Sequence, residues 1–302
     1  MPKQKIVVVH GPTASGKSSI ALKLAKKFNG FLISADSRQV YKFMDIGTNK
    51  DNGAWKGDTY FVQGVPEYMV DVVQPNQEFS VDDWVKGAKK AIKQNPDKLP
   101  IIVGGTGFYI EGLIYDFKMP GKPDPKLRKK IQKQLDEKGI SFVLNQIKKI
   151  DPEIETKIDI KNPRRVLRAA EICITSGKPF AQQKGIARFD ALQLALDVPR
   201  ETLYSKINKR AQEMVYEGLV QEVESLIEKG YDCKSSAMSG IGYRQICQFL
   251  NKEITGQQAV EMIQRDTRRY AKRQISWLKR DKTIQWVENL DEADKLVQQF
   301  IK

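Results

Sequence analysis

The chain reads as an α/β protein, a parallel sheet flanked by helices, with an inserted helical domain and a helical C-terminal part. Three observations predict this. The β-branched apolar run Lys5 to His10 opens onto a glycine-rich stretch, and helical spacing follows at Ile20, Leu24 and Phe28. Further short apolar runs, Phe31 to Ser34 and Pro100 to Val103, alternate with helical patterns, as in sheets covered on both faces. From about Asp116 the texture turns to Lys- and Arg-rich helical spacing with almost no strand character until Leu192.

Taken in order, the first helix stops at Asn29-Gly30, and the second strand ends at Ala35-Asp36-Ser37. Tyr68 to Val73 reads as a third strand. Ser80 can cap a helix whose Val81, Trp84, Val85, Ala88 and Ile92 form one stripe. Pro100 to Val103 runs into Gly104-Gly105-Thr106-Gly107. Asp124-Pro125 opens a helix with Leu127, Ile131 and Leu135 inward, stopped by Gly139; Asn162-Pro163 opens another, ending near Ser176-Gly177. Strand character returns at Leu192 to Val198. A long helix from Glu201 to Glu228 is interrupted at Gly218, and Thr255-x-x-Gln258 matches a capping box for a final helix. The expected division is a core of residues 1–117 and 191–302 and a helical insertion of residues 118–190.

Composition narrows the chemistry. At 40% hydrophobic the chain can fill an interior and is not a largely disordered one. No apolar run is long enough to cross a bilayer and no secretory signal pattern opens the chain, so a cytoplasmic protein with no membrane partner is expected. No heptad pattern points to an oligomer, and a monomer is expected. Cys173, Cys233 and Cys247 lie far apart with no C-x-x-C pair, so a disulfide framework and a cysteine-rich zinc site are both ruled out as expectations. The single histidine, His10, removes histidine-ligated metal sites and leaves little room for Ser-His-Asp catalysis. Carboxylates, hydroxyls, cations and backbone amides must carry the chemistry. Lys and Arg number 51 against 37 Asp and Glu, a net +14 that favours a polyanionic partner if the charge is clustered.

Two features give that chemistry a place. Gly11-Pro12-Thr13-Ala14-Ser15-Gly16-Lys17-Ser18 matches G-x-x-x-x-G-K-S/T between a strand and a helix, which makes the sheet P-loop NTPase-like. Successive amides of such a loop cradle an anion, Lys17 would neutralise phosphate oxygens, and the Ser18 hydroxyl would ligate Mg²⁺. A kinase or NTPase usually adds an acid at the end of another apolar strand, but Pro100 to Val103 ends in glycines. The available carboxylate is Asp36, either a turn-capping acid or, with Thr106, one wall of the crevice beyond the strand ends. Near the C-terminus Arg265, Arg268, Arg269, Lys272 and Arg273 recur at helical offsets, while Ile263, Tyr270 and Trp277 would face the protein. Acids are sparse there, only Asp266 and Asp281, which favours phosphate-backbone contacts over a salt-bridged solvated face. On these residues alone a small-metabolite kinase and an RNA-binding NTPase both stay open.

Several segments together resemble the tRNA dimethylallyltransferase (tRNA isopentenyltransferase) family: GPTASGKS (11–18), ISADSRQVYKFMDIGT (33–48), IIVGGTGFYI (101–110), NPRRVLRAAEI (162–172), GIGYRQI (240–246) and DTRRYAKRQISWLKR (266–280). The resemblance implies transfer of a dimethylallyl group from its diphosphate to N6 of the adenosine 3′ to the tRNA anticodon. It also implies Mg²⁺, a cytoplasmic bacterial setting and a helical insertion that clasps the anticodon stem-loop. By the same resemblance Asp36 is the general base, Ser37, Arg38 and Gln39 beside it contact tRNA, and Thr106 contacts the target adenosine. The loop Gly11 to Ser18 would hold dimethylallyl diphosphate, with Arg210 gripping it, although Lys209 is adjacent and the local motif is loose. Arg164, Arg165, Arg168, Arg244, Arg268, Lys272 and Arg273 are the implied cationic tRNA contacts. The C-terminal zinc finger that eukaryotic relatives can append has no cysteine or histidine to build it here. An adenylate isopentenyltransferase shares the phosphate loop but has less use for the basic segments.

Overall fold

A computed structural model describes residues 3–115, 117, 124–180 and 185–302. The chain divides into two compact units, Met1–Asp116 with Ala187–Lys302, and Phe117–Ile186.

The first unit begins with strand β1 (Lys5–His10), helix α1 (Lys17–Lys27) and β2 (Gly30–Ala35). A short ribbon of β3 (Ala54–Lys56), β4 (Thr59–Val62) and β5 (Val65–Tyr68) leads to α2 (Val81–Gln94), β6 (Leu99–Gly104) and α3 (Gly107–Ile114). The second unit contributes α4 (Pro125–Lys148), α5 (Ile154–Lys157) and α6 (Pro163–Ser176). The first unit resumes with β7 (Asp190–Leu196), α7 (Arg200–Tyr216), α8 (Leu219–Glu228), α9 (Tyr243–Leu250), α10 (Gly256–Leu278), β8 (Gln285–Val287) and α11 (Leu290–Ile301).

The sheet has eight strands in the order β3-β4-β5-β2-β6-β1-β7-β8. From β5 to β8 every neighbouring pair is parallel, and only the β3-β4-β5 ribbon is antiparallel. Alternate side chains of each central strand feed opposite cores. Ile6, Val8, Ile33 and Ile102 pack with Trp84 of α2 and Leu113 of α3. Val7, Val9, Leu32 and Ile101 pack with Leu24 of α1 and Val297 of α11. Burial on both faces is why these strands read as unbroken apolar runs. Because β6 sits between β1 and β2, the chain leaves β1 in one direction and β6 in the other, which opens a crevice beyond their carboxyl ends.

Local chemistry fixes the helices. Ser80 and Asp83 form a reciprocal capping box on α2, as do Thr255 and Gln258 on α10. In the second unit Gly139, at φ 79°, breaks α4, and Asn162 caps α6 with its side-chain oxygen on the amides of Arg164 and Arg165. That unit has its own core of Ile131, Val143, Ile147, Val166 and Ala170.

The structure departs from the sequence expectations in three places. The third strand is Val65–Tyr68, not Tyr68 to Val73. Met69 and Asp71 take positive φ, and the amides of Asp71 and Val72 bond to Gln39 and Val40 carbonyls, so the chain folds over the loop after β2 instead of extending. Edge strands β3 and β8, three residues each, were too short to show a period, and α11 follows an Asn289 cap. Finally, Cys233 and Cys247 are joined by a disulfide, because the segment after α8 folds back on α9; Cys173 alone is free and buried.

Candidate active site

The phosphate loop is made by its backbone. Ala14 and Gly16 take φ of 64° and 90°, turning successive amides to one side and handing the chain to α1. Nothing lies within 4 Å of a Cβ built on Gly16, so conformation, not space, requires glycine there. Among the described residues the Lys17 ammonium reaches only the Pro12 carbonyl, at 3.4 Å. Burial pushes its pKa down to about 8, against the pull of Asp36 and Asp51, with Arg210 adding to the depression. A cation held at that cost is poised to receive an anion.

Asp36 follows β2 and turns the chain, its Oδ1 accepting from the Arg38 amide at 2.8 Å. The next strand end is tied to it: the Thr106 amide donates to the Ala35 carbonyl at 3.0 Å, and Thr106 Oγ1 accepts from the Ser37 amide at 3.1 Å. A Cβ on Gly104 would lie 2.2 Å from the Ala35 carbonyl oxygen, so only glycine allows this approach. Arg210, from α7, donates Nη1 to Thr13 Oγ1 at 3.2 Å, while its buried Nε has no partner among the described residues. Burial lowers its pKa to about 10, partly offset by Asp36 and Asp51. Lys17, Ser18, Asp36 and Arg210 all line one cavity of ≈ 510 Å³.

The other predicted residues divide by what they hold. Arg38 donates to the Ser236 and Ala237 carbonyls. Gln39 accepts from Ser34 Oγ at 2.7 Å and donates to the Thr48 and Asn49 carbonyls. Ser37 gives its amide to Thr106. On α10 and α9 the expectation of sparse salt bridging fails, because Asp266 alone gathers Arg244 at 2.8 Å, Arg265 at 3.1 Å and Arg269 at 4.0 Å. Arg268 is held by Asn208 Oδ1. Lys272 and Arg273 are exposed and have no ion pair among the described residues, Arg273 lying over the Tyr270 ring at 5.7 Å. In the second unit Arg164 and Arg165 are exposed, whereas Arg168 joins Arg128 on the buried Glu171 carboxylate. His10 is buried, bonded through Nε2 to Gln193 Oε1 at 2.9 Å, with its pKa lowered by burial to about 4; it is neutral and structural.

Three residues of the site escaped the sequence. Gln274 of α10 accepts from the Thr13 amide at 3.0 Å and donates to the Gly105 carbonyl at 3.2 Å, joining phosphate loop to glycine turn. A glutamine on the apolar face between Ala271 and Leu278 was its one signal. Asp51 and Glu67 line the same cavity with no local pattern to mark them. Burial raises the Asp51 pKa, while the Ser18 hydroxyl against its carboxylate lowers it. No group of three or more His, Cys, Asp or Glu side chains suited to a metal ion exists among the described residues. No described helix is long and apolar enough to cross a membrane.

A family model described as IPP transferase matches residues 39–281. The chain is 42% identical over 297 aligned residues to the tRNA dimethylallyltransferase of Acetivibrio thermocellus, covering 96% of this chain and 93% of that one. The chain belongs to the IPP transferase family. The Clostridioides difficile tRNA dimethylallyltransferase is 40% identical over 314 residues, covering all of this chain and 99% of its own length. Among solved structures, the full-length tRNA isopentenylpyrophosphate transferase of Bacillus halodurans superposes with a TM-score of 0.71 at 33% identity, covering 99% and 96% of the two chains. A eukaryotic dimethylallyltransferase acting on tRNA superposes at 0.77 and 28% identity, covering 98% of this chain and 77% of that one. The IPP transferase match starts at Gln39, after the phosphate loop and Asp36, while both relatives align across essentially the whole chain.

Proposed function

We propose that this IPP transferase moves a dimethylallyl group from its diphosphate to N6 of the adenosine 3′ to the anticodon in tRNA. The observation that carries the reading is the cavity itself: the amide cradle, Lys17 and Arg210 face Asp36 across one space. Amides and cations suit the oxygens of a diphosphate, and the carboxylate suits a proton from an amine. The nitrogen lone pair forms the new C–N bond at the allylic carbon as the carbon–oxygen bond breaks. The diphosphate departs with that electron pair, and Asp36 takes the N6 proton. Arg210 Nε, buried and without a partner among the described residues, has a hydrogen bond in reserve for the leaving group.

The other roles follow from placement. Thr106 has its hydroxyl on the Ser37 amide and so shapes the turn next to the adenosine while holding Asp36 in register. Arg38 and Gln39, engaged with carbonyls, present this segment to RNA as a formed surface. The core and the helical insertion share the work: Arg164 and Arg165 of the insertion, and Lys272 and Arg273 of α10, supply phosphate contacts, with the paired Arg168, Arg244 and Arg268 contributing less. A target base inside an RNA loop has to be splayed out to reach the cavity. The hydroxyl of Ser18, beside the Asp51 carboxylate, fits a hard cation, and Ser18 would hold Mg²⁺. Bound there, Mg²⁺ supplies charge neutralisation to the diphosphate.

Incubation with dimethylallyl diphosphate, Mg²⁺ and unmodified tRNA tests the reading by nucleoside mass spectrometry. The expected product is N6-dimethylallyladenosine at the position following the anticodon. Prenylation of free AMP, ADP or ATP alone would make the chain an adenylate prenyltransferase, and phosphate transfer from ATP would make it a kinase.

A further inference from the structure

We propose that the Cys233–Cys247 disulfide is a redox-operated clamp on the turn that carries Asp36. Closed, it holds the segment that anchors Arg38; opened by a dithiol, it lets the turn slacken and slows prenyl transfer. The proposal rests on the reading of Asp36 as the proton acceptor. The bond joins Cys233, in the segment after α8, to Cys247 on α9, 14 residues on. Between Cys233 and the start of α9 at Tyr243 the chain makes no strand or helix. It holds itself only by turns, such as the Ser235 amide on the Asp232 carbonyl at 2.8 Å and the Gly240 amide on the Ala237 carbonyl at 3.2 Å. This segment is what Arg38 grips. Its Nη1 donates to the Ser236 and Ala237 carbonyls, and its Cδ and Nε lie 3.5 Å from where a Cβ on Gly240 would be. Among the described residues its guanidinium makes no other hydrogen bond or ion pair. The Arg38 amide in turn donates to Asp36 Oδ1 at 2.8 Å. One unbroken set of contacts therefore runs from the sulfur bridge to the carboxylate. The phosphate loop stands outside it, tied at Thr13 to Gln274 and Arg210.

The exchange has a direction. Cys233 is half-buried and Cys247 is buried, so an incoming thiolate meets the Cys233 sulfur. A mixed disulfide forms there, and Cys247 leaves as a thiolate and takes up a proton. The second thiol of the dithiol then attacks its own sulfur in the mixed disulfide and releases Cys233. Two electrons and two protons pass to the pair, and the reductant departs as its own disulfide. The reverse exchange closes the clamp. In a reducing compartment a bond of this kind is characteristically transient and redox-sensing. Its position makes it more than a staple, because the loop it closes contains both carbonyls that Arg38 grips.

The full chain is equilibrated in graded ratios of reduced to oxidised dithiothreitol, with the state of the pair read by alkylation and mass spectrometry. Opening the bond should lower the single-turnover rate on tRNA by about fivefold or more, the low end of usual site-to-site coupling, with the Kd for inorganic pyrophosphate within about twofold. C233S should show the slow rate at every ratio; C247S alters a buried position, so C233S carries the test if C247S is unfolded. R38A should be slow in both states, because it cuts the tie that the bond protects. Three results overturn the clamp: a rate that holds while the bond opens, a pair that stays in one state across all ratios, or a redox response that survives in R38A. Hydrogen exchange over residues 36–39 reads the clamp without substrate. Exchange that quickens on reduction, in a chain that prenylates no tRNA in either state, keeps the clamp and overturns the transferase reading instead.

Discussion

The loop after β1 and the loop after β2 face the same cavity but are held by opposite means. The phosphate loop is shaped by backbone conformation over eight consecutive residues, Gly11 to Ser18, and distant side chains tie it only at Thr13, through Gln274 and Arg210, among the described residues. The loop after β2 is held by side chains from elsewhere. Glu222 of α8 accepts from the amides of Asp45, Ile46 and Gly47 and from the Tyr243 hydroxyl. Lys50 is buried between Asp45 and Asp71, and Gln39 spans from Ser34 to Thr48 and Asn49. The first loop carries its shape within its own residues; the second borrows its shape from the fold. The phosphate loop can therefore keep its shape when distant packing changes, whereas the stretch around Asp45 to Gly47 depends on α8 and α9.

The largest effect separates chemistry from binding on the borrowed side. Asp36→Asn should lower the single-turnover prenyl-transfer rate by about 10² to 10⁴ while tRNA affinity stays within about twofold. Rapid-quench kinetics beside filter binding checks both, and an unchanged rate removes Asp36 as the base.

Next comes the strand that feeds the self-shaped loop. His10 has a folded pKa near 4 against an ordinary 6.5, so between those values the unfolded chain holds a proton that the folded chain lacks. Stability from this group is full above pH 6.5 and drains as pH falls through 4, by about 3 kcal/mol in all. Urea midpoints from pH 4 to 7 should show His10→Gln with a flatter acid limb than the wild type.

The contrast between the loops is tested directly by cutting one tie in each. Glu222→Ala strands three amides and should cost about 2 kcal/mol, with activity falling and pyrophosphate affinity nearly intact. Gln274→Ala should cost about 1 kcal/mol and raise the Kd for pyrophosphate instead. Denaturation and calorimetry on both variants settle it, and the reverse pattern would break the distinction. The smallest effect belongs to the outer surface. Lys272→Ala and Arg273→Ala should each reduce the slope of log affinity for tRNA against log salt by about 1, and Arg268→Ala by less because Asn208 holds it.

The same contrast explains what could be read from sequence. The phosphate loop, the Asp36 turn and the glycine turn were legible because each is contiguous and follows an apolar strand. Capping at Ser80 and Thr255 was legible because both partners lie within one turn. Asp51 was not, since its partner Ser18 is distant in the chain and nothing local marks the pair. Glu67 sits in a four-residue strand, and β3 is wholly exposed, so neither displays an alternation that names its strand. The Cys233–Cys247 link was hidden for the same reason: it depends on how the chain turns between α8 and α9.

Gly104 has one more consequence. With the Ala35 carbonyl so close to it, the ends of β2 and β6 form a single mount with no slack for even one methyl group. Asp36 and Thr106 ride on that mount together. A side chain placed at Gly104 would therefore displace Asp36 and Thr106 together, not one without the other.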